Sequence, residues 1–529
     1  MTSIEIPTPA QRDWRYRIFE ILPAALSWFI LALPLILSQV SARLTAYFVI
    51  GYLLLWFIRA VGLNFRSLQG YRTMSQHRKL DWRALNADLE LLETKTPHAP
   101  RWHAGNIERV RERMIDSRIK PSEVLHVVII AAYNESRDIL GPTIRSVVNS
   151  DYDNSKIILI IAFEERGGPQ MREVAEGLVK EYGRRFFWAA AIEHPKDIPG
   201  EIIGKGGNIT HAGRSLKSYL RDKNIDPARV LVTTLDSDTR PDPKYFGALT
   251  YTFCSTEEPK YVSYQPIPMY LNNIWDAPAP MRVIATGNSF WMVVQSLRPH
   301  MLRNFSAHAQ PMQALIDTDF WSVRTIVEDG HQFWRTYFRY DGRHEVYPIF
   351  VPIYQDAVLT EKYWRTLKAQ FIQVRRWAWG ASDIAYVFYS GFLKPNRVPK
   401  RDLINKFLRL FEGHLSWATA PLIIALAAFL PLLFNPENYI ANELPHVASR
   451  LQTIAMVGIL TSLFLSLRTL PPKPERYRRH RTLFMIIQWV YLPLTTIIYS
   501  SFAALYSQTR LALGRYLDKF DVTEKAIKK

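Results

Sequence analysis

The sequence predicts an α/β domain inserted between N-terminal and C-terminal apolar segments that are long enough to cross a membrane. Three observations lead to this fold class. Long uncharged runs stand near both ends of the 529-residue chain, the middle alternates short β-branched runs with amphipathic helical stretches, and the only cysteine is Cys254. A single thiol cannot form an internal bridge, so a disulfide-stapled secreted scaffold is excluded. The hydrophobic fraction of 48% excludes intrinsic disorder.

Apolar segments frame the chain at both ends. Spanning a bilayer core takes roughly 20 mostly apolar helical residues. Five segments approach or exceed this length, at residues 21–40, 44–58, 415–434, 451–467 and 482–508. The first is too long for the apolar region of a signal peptide, and we interpret it as a retained anchor. Buried core helices are the alternative only for the two shortest segments.

Basic residues around these segments predict their orientation, because Lys and Arg collect on the cytoplasmic side of membrane helices. Basic side chains precede the first segment and follow the second, which places the N-terminus and the middle region inside. The loop 435–450 is predicted outside and the basic loop 471–481 inside. For the last segment, hydropathy and charge disagree. Its length suits one crossing, but a single crossing would place the basic tail outside, which the distribution of charge disfavours. Pro493 allows a re-entrant hairpin as the alternative.

The predicted organisation has six parts. They are a cytoplasmic N-terminus (1–20), two transmembrane helices (21–63), a cytoplasmic α/β domain (64–396), an interfacial amphipathic helix (397–412), three hydrophobic membrane segments (413–509) and a basic C-terminal tail (510–529). In the fourth part the apolar residues share one helical face, which suits a helix lying in the membrane interface. An ordinary surface helix docked on the soluble domain is the alternative.

Short apolar runs in the middle region predict the strands of a sheet. The runs are residues 127–132, 157–163 and 230–235, and the helical stretches are residues 142–149, 170–182 and 209–220. Alternation of strands and helices implies a largely parallel sheet, and such sheets bind ligands at the carboxyl ends of their strands. We therefore expect functional residues just after each run.

Acidic and polar residues do follow each of these runs. They are Tyr133, Asn134 and Glu135, then Glu164 and Glu165, and finally Asp236 and Asp238. Two carboxylates separated by one residue at a strand end suit a hard divalent cation, and Mg²⁺ is typically held by one or two carboxylates plus substrate phosphates. The preceding strand and the closing Pro241 favour this interpretation over a solvated acidic turn.

A glycine-rich turn at residues 200–208 contains Lys205 just before a helix. Its spacing is one residue short of a P-loop, and Gly206 stands where a P-loop has Ser or Thr, so an ATPase is rejected. A lysine before a helix still suits the phosphates or the base of a nucleotide. A solvated lysine in a helix-start turn is the alternative.

Two further motifs lie closer to the C-terminal apolar segments. Glu328 and Asp329 form an acidic pair near aromatic residues, and Gln373, Arg376 and Trp377 belong to the run Gln-Val-Arg-Arg-Trp-Ala-Trp-Gly. Arginines flanked by tryptophans suit an anionic leaving group beside a surface on which a sugar stacks. The alternative is an amphipathic helix whose arginines meet lipid headgroups.

The order of these motifs resembles the family-2 membrane glycosyltransferases, which include cellulose, chitin and hyaluronan synthases. The matching elements are Tyr-Asn-Glu, Gly-Lys-Gly-Gly-Asn, Asp-x-Asp-x-x-Pro, Glu-Asp and Gln-x-x-Arg-Trp, framed by membrane helices. The motifs that carry the resemblance lie between about residues 127 and 380. The arrangement of membrane helices around them extends the resemblance to the whole chain. It implies a Rossmann-like GT-A fold, a nucleotide-diphosphate sugar as donor, usually a UDP-sugar, Mg²⁺ or Mn²⁺ as cofactor, and inversion at the anomeric centre.

The resemblance also implies which residues face the donor. The nucleotide would be bordered by Tyr133, Glu135 and Glu164. Lys205 would contact the base or the phosphates of the nucleotide. The nucleotide and the metal would be bound by Asp236 and Asp238. The family more often has Asp at the position of Glu164, and Glu165 is the alternative for this role.

On the acceptor side the resemblance implies that Asp329 is the general base, with Glu328 as the alternative. Gln373, Arg376 and Trp377 would hold the leaving diphosphate and the acceptor sugar. Val327 stands where the family usually has Thr before the acidic pair. The base assignment therefore depends on the carboxylates alone.

The sequence thus predicts a multi-pass protein of the bacterial plasma (inner) membrane that transfers sugar on the cytoplasmic side to a growing polysaccharide. One alternative is transfer of a single sugar to a lipid-linked acceptor. Another is a non-catalytic membrane protein that binds a nucleotide sugar or polysaccharide. The net charge of +18 also suits a nucleic-acid partner, but many basic residues border apolar segments, where anionic membrane lipids explain them. We therefore expect no nucleic-acid partner, and the motifs specify no protein partner.

Overall fold

The computed structural model describes residues 4–478, 480–519 and 525–526. Within these residues the middle of the chain forms one eight-stranded sheet. Its strands are β1 (Leu125–Ala132), β2 (Ile157–Glu164), β3 (Trp188–His194), β4 (Val230–Asp236), β5 (Arg240–Pro241), β6 (Val262–Met269), β7 (Ala309–Pro311) and β8 (Glu345–Tyr354). The predicted α/β domain between apolar helices is confirmed.

Helices precede, cover and follow this sheet. The first two are α1 (Trp14–Val40) and α2 (Ala42–His77). Those of the α/β domain are α3 (Trp82–Leu91), α4 (Arg101–Arg113), α5 (Arg137–Val148), α6 (Gly168–Tyr182), α7 (Lys205–Asp222), α8 (Tyr245–Cys254), α9 (Ala279–Ser296), α10 (Met312–Asp317), α11 (Glu328–Arg339), α12 (Tyr363–Ala378) and α13 (Ser382–Phe388). The last are α14 (Lys400–Leu426), α15 (Leu430–Phe434), α16 (Tyr439–Thr469), α17 (Arg481–Ile487), α18 (Leu492–Thr495) and α19 (Ala503–Ala512).

The strand directions bring most strand ends to one side of the sheet. The strand order is β3-β2-β1-β4-β7-β6-β8-β5, and β1 to β4 run parallel to one another. β7 is antiparallel to both β4 and β6, and β8 is parallel to β6. Consequently β6 and β8 point in the same direction as β1 to β4. We call the side where these six strands end the carboxyl edge.

The sheet is largely parallel, as the sequence predicts, and only β5 and β7 run antiparallel to their neighbours. The sequence did not predict β3 or the strands from β5 to β8. β6 contains Pro266 and Pro268, and β8 contains Pro348 and Pro352. Proline cannot donate a ladder hydrogen bond and argues against a strand inside a sheet. A register shift at Pro266 accommodates these prolines in the pairing of β6 with β8.

The three predicted strands are present, and each is continuously apolar because both faces of the sheet are covered. In β1, Val128 and Ile130 pack under α3, α5 and α8, whereas Val127 and Ile129 pack under α7 and α10. All four side chains are fully buried. Each contributes about 1.5–3 kcal/mol through removal of apolar surface from water.

Five helical segments are long and apolar enough to cross a membrane. They are Trp14–Val40, Ala42–His77, Lys400–Phe434, Tyr439–Thr469 and Arg481–Ala512. The first four form a bundle, in which the amide of Asn435 donates to the backbone oxygen of Ser38 at 2.7 Å. The turn after α15 therefore lies beside the end of α1. The predicted interfacial helix at 397–412 is not a separate element, because α14 continues from Lys400 to Leu426.

The last apolar segment is one of the five that are long and apolar enough to cross a membrane. It has no hairpin turn, since a 3-10 turn and a π-helical stretch between 488 and 502 join α17, α18 and α19 into one helical path. At its start the guanidinium of Arg481 donates to the backbone oxygen of Trp275 at 2.8 Å. At its end Arg17 donates to the backbone oxygen of Ala512 at 2.8 Å. The start of the segment therefore lies beside the α/β domain, and its end lies beside the start of α1.

This arrangement predicts that the N-terminus and the tail react from the same side of a sealed membrane vesicle. Cys254 is buried, and Cys254→Ser gives a cysteine-free background. In that background Arg15→Cys and Leu513→Cys are expected to react with an impermeant maleimide from one side, and Glu437→Cys from the other, because these three positions are exposed. Reaction of Leu513→Cys from the side of Glu437→Cys would show that the last segment crosses the membrane.

Candidate active site

The carboxyl edge collects polar side chains from all parts of the sheet. The residues predicted after β1, β2 and β4 lie there, as strand direction requires. Four residues that the sequence reasoning missed join them, and these are Tyr270 after β6, Ser306 before β7, and Gln355 and Asp356 after β8. Ser306 reaches this edge because β7 runs antiparallel to its neighbours, so its beginning lies where the other strands end.

An ion pair lies at the centre of the edge. Nζ of Lys205 lies 2.6 Å from Oδ1 of Asp236 and donates to the backbone oxygen of Ser306 at 3.0 Å. The hydroxyl of Ser306 donates to the other carboxylate oxygen. Burial raises the pKa of Asp236, but the ammonium of Lys205 and the Ser306 hydroxyl outweigh it and hold that pKa well below its usual range. Asp236 is therefore ionised at neutral pH.

The glycine-rich turn brings the lysine to this position. A Cβ on Gly206 would lie 2.2 Å from the backbone oxygen of Ser322, so only glycine allows this approach. The side-chain amide of Asn208 donates to the backbone oxygens of Ala132 at 3.2 Å and Ala162 at 2.9 Å. The start of α7 is thereby tied to the ends of β1 and β2.

Glu135 joins the loop after β1 to the loop after β4. One oxygen of its carboxylate accepts from the backbone N–H of Tyr133 at 2.7 Å and of Asn134 at 3.2 Å. The other accepts from the hydroxyl of Ser237 at 3.0 Å. The predicted Tyr-Asn-Glu motif is thus held against the Asp-x-Asp turn.

Glu164 is the acid that the second strand supplies to the edge. It is buried and paired with Arg166, and burial raises its pKa. Glu165, the alternative for this role, accepts from the backbone N–H of Lys196 at 3.0 Å and lies 3.3 Å from its Nζ. Glu165 is therefore bound to the loop after β3.

Asp238 and Asp356 lie on the wall of a small cavity beside the ion pair. The cavity has a volume of about 30 Å³, and its lining is Asp238, Asn273, Asp356, Ala357, Val358, Leu359, Gln373 and Lys525. Burial, and after it the charge of Asp238, raises the pKa of Asp356 to about 7. Oδ1 of Asp356 is buried and has no hydrogen-bond partner among the described residues.

The oxygens around this cavity suit a hard divalent cation. Among the residues that the structure describes, no three His, Cys, Asp or Glu side chains lie close enough together to hold a metal by themselves. The donor set fits a cation that is held by one or two carboxylates and completes its coordination with the phosphates of a substrate.

Glu328 and Asp329 begin α11 on the opposite side of Lys205. Glu328 is 4% exposed, whereas Asp329 is half-buried. Burial, and after it the charge of Asp329, raises the pKa of Glu328 to about 8. Burial also raises the pKa of Asp329, while Lys205 and Arg376 act in the opposite direction. The more exposed Asp329 is therefore better suited to carry the negative charge at neutral pH.

Helix α12 carries the Gln-x-x-Arg-Trp motif to the same place. Arg376 lies near enough to Asp329 and Tyr270 for its charge to oppose the rise in the pKa of both groups. The rings of Tyr270 and Trp377 are 6.4 Å apart. Gln373 lines the cavity beside Asp238, as the site requires. By contrast, the guanidinium carbon of Arg375 lies 5.6 Å from the ring centroid of Tyr506, so it faces α19.

The raised pKa of Glu328 predicts a dependence of stability on pH. Its ordinary value is 4.5 and its value in the folded chain is about 8, so the unfolded chain releases this proton first as pH rises. The free energy of unfolding should therefore fall between pH 4.5 and 8, by at most about 1.4 kcal/mol per pH unit for one group. Glu328→Gln should flatten this fall in thermal melts of detergent-purified protein, whereas Glu361→Gln, an exposed control, should not. Equal slopes for both variants would contradict the assignment.

No family model and no curated protein matches the sequence. Similar solved structures include the mannosyltransferase PcManGT from Pyrobaculum calidifontis in complex with GDP-Man and Mn²⁺, which is 12% identical with a TM-score of 0.41 and matches 77% of this chain and 99% of that one. S. aureus TarS 1–349 is 12% identical with a TM-score of 0.34, over 74% of this chain and 93% of that one. The same fragment in complex with UDP is 10% identical with a TM-score of 0.33, and the match covers 75% of this chain and 94% of that one. At such identities and TM-scores, these likenesses assign neither a family nor an activity to the chain.

Proposed function

We propose that the protein is a membrane-bound inverting glycosyltransferase, with a GT-A-type domain, that moves a sugar from a nucleotide-diphosphate sugar to a growing polysaccharide. The supporting observation is the meeting of five predicted groups at one edge of the sheet. These groups are the Lys205–Asp236 ion pair, the carboxylate of Asp238, and Asp329 with Arg376 nearby. Together they offer cations for a diphosphate and a carboxylate for a hydroxyl proton.

The donor side of the site suits a nucleoside diphosphate, and a UDP-sugar is the donor we propose. Lys205 stands at the N-terminus of α7, where an ammonium and free backbone N–H groups favour phosphate. Glu135 and Glu164 would border the nucleoside at the ends of the neighbouring strands. A divalent cation, Mg²⁺ or Mn²⁺, held by Asp238 would neutralise charge that develops on the leaving diphosphate.

The acceptor side supplies the base that inversion requires. The acceptor hydroxyl oxygen forms a bond to the anomeric carbon while the bond from that carbon to the phosphate oxygen breaks. The nucleoside diphosphate leaves with the electron pair, and the hydroxyl proton passes to Asp329. A positioned general base contributes about 10²–10⁴-fold to the rate. Glu328 is less suited to this role because burial favours its protonated form.

Arg376 and Trp377 complete the acceptor side. The guanidinium of Arg376 would attract the diphosphate as it leaves, since arginine binds phosphate oxygens in a forked geometry. The ring of Trp377, with Tyr270 beside it, offers an apolar face on which a sugar ring stacks. A surface of this kind holds the acceptor without fixing its length, which suits a polymer.

The membrane assignment follows from the apolar helices and the basic residues that border them. We propose that α1, α2, α14 with α15, and α16 cross the bacterial inner membrane, and that the α/β domain and both termini lie on the cytoplasmic side. The basic residues before α1 and after α16 suit the anionic lipid of that face.

The proposal predicts release of the nucleoside diphosphate by detergent-purified protein supplied with one member of a panel of UDP-sugars and with Mg²⁺ or Mn²⁺. Asp329→Asn should lower turnover by about 10²–10⁴-fold without loss of donor binding, because it removes only the base. Asp319→Asn serves as the control, since Asp319 is exposed and paired with Arg214. Unchanged turnover in Asp329→Asn would show that the base is wrongly assigned.

The product of the same reaction separates the alternatives. A polymer that lengthens with time supports the proposal. A single sugar on a lipid carrier would replace it with the single-transfer alternative. Donor binding without turnover of any sugar would instead indicate a non-catalytic binding protein.

A second prediction concerns the stacking surface. Trp377→Ala should lower transfer to the acceptor by about tenfold or more, because a buried aromatic face contributes roughly 1–3 kcal/mol to such contacts. Donor binding, measured by calorimetry with UDP, should not change. Trp364 lies on the same helix and is 77% exposed, so Trp364→Ala is the matched control. Equal effects of the two substitutions on transfer would remove Trp377 from the acceptor site.

A further inference from the structure

The C-terminal tail enters the cavity beside Asp238. Nζ of Lys525 lies 3.1 Å from Oδ1 of Asp238 and donates to the hydroxyl of Ser237 at 2.6 Å. The Lys525 side chain is only 18% exposed. The next residue is also held, because the backbone N–H of Ala526 donates to the backbone oxygen of Leu359 at 3.0 Å. Lys525 and Ala526 are therefore bound through a charged side chain and through a backbone hydrogen bond, respectively.

The cavity that receives this ammonium is built for positive charge. Asp238 and Asp356 are both on its wall, and Asp238 is 8% exposed. Two carboxylates in one poorly hydrated space repel each other unless a cation lies between them or one of them is protonated. Oδ1 of Asp356 is buried without a hydrogen-bond partner among the described residues, so this oxygen is available to a ligand that enters the cavity. No sequence pattern indicates this contact, because Lys525 stands far from both acids along the chain.

We propose that Asp356 is the second carboxylate of the cation site that Asp238 heads, and that Lys525 is the resting occupant of this site. A divalent cation and the tail then compete for the same oxygens, and the tail withdraws when the cation binds with its nucleotide. The identity of that nucleotide rests on the proposed function. The competition between an ammonium and a metal ion does not.

The exchange is reasonable on charge and contact grounds. The ammonium of Lys525 brings one positive charge to the oxygens around Asp238, whereas a divalent cation brings two and can use carboxylate oxygens from both acids. A nucleoside diphosphate adds its own oxygens to the cation and its own contacts to Lys205. A tail that occupies the site about nine-tenths of the time lowers the apparent affinity for the cation about tenfold.

Mn²⁺ binding tests the competition without any sugar donor. The measurement is the loss of the free Mn²⁺ signal in electron paramagnetic resonance, on the full chain in detergent. Lys525→Ala should bind Mn²⁺ about tenfold more tightly than the wild type. Lys525→Arg keeps the positive charge and should remain close to the wild type. Lys519→Ala is the matched control, since Lys519 belongs to the same basic tail and its backbone bridges to Ile203.

The role of Asp356 is tested in the Lys525→Ala background, where the tail no longer competes. There Asp356→Asn should lose Mn²⁺ affinity, whereas Asp319→Asn should not. A second measurement follows the tail directly. With Cys254→Ser as background, the pair Ala526→Cys and Leu359→Cys should be joined by a short bismaleimide in metal-free protein. Mn²⁺ with UDP should suppress this cross-link.

The outcomes separate this proposal from the proposed function. Equal Mn²⁺ affinities of the wild type and Lys525→Ala would overturn the competition and leave sugar transfer intact. Weaker Mn²⁺ binding by Lys525→Ala would also overturn it, because Lys525 would then assist the bound state. Absence of Mn²⁺ binding in every variant would overturn the cation site itself, whether or not nucleotide is released from a UDP-sugar.

Discussion

Negative charge concentrated at one edge of the sheet is the constraint on which the site depends. Six strands end there because a single antiparallel strand, β7, separates two sets that point the same way. Their ends bring Asp236, Asp238 and Asp356 together, and Lys205 alone cannot compensate three carboxylates. The edge therefore needs further positive charge, which the folded chain supplies from Lys525.

Burial divides the acids of this edge into charged and uncharged groups. Asp236 stays ionised because Lys205 and Ser306 compensate its charge directly. Burial and the charge of Asp329 raise the pKa of Glu328 to about 8, because the charge of Lys205 offsets them only in part. Asp329, next to it, is half-buried, and the charges of Lys205 and Arg376 oppose the rise in its pKa. Two acids adjacent in sequence thus differ in their burial and in the neighbouring charges that set their pKa values.

At the strand ends, the sequence predicted the acids that follow continuous apolar strands and missed the residues that follow proline-containing strands. β1, β2 and β4 are unbroken apolar runs, so the acids after them could be placed at a common edge. Tyr270 and Asp356 follow β6 and β8, whose prolines argue against a strand until the pairing is known. The contact of Lys525 with Asp238 could not be predicted, since no periodicity or spacing relates a tail residue to a strand end.

Hydropathy does not predict the contacts that the last apolar segment makes. Length and composition do not distinguish a helix that crosses a membrane from one that lies along a protein surface at its boundary. In this chain the hydroxyl of Ser507 donates to the backbone oxygen of Arg375 at 2.6 Å, so α19 supports the helix that carries Arg376. Gln508, fully buried, accepts from the hydroxyl of Ser27 on α1 and donates to the backbone oxygen of His414 on α14. The segment therefore connects α1 and α14 to α12, the helix that carries the Gln-x-x-Arg-Trp motif. Because its end lies beside the α/β domain, the tail that follows can reach the cavity that Lys525 occupies.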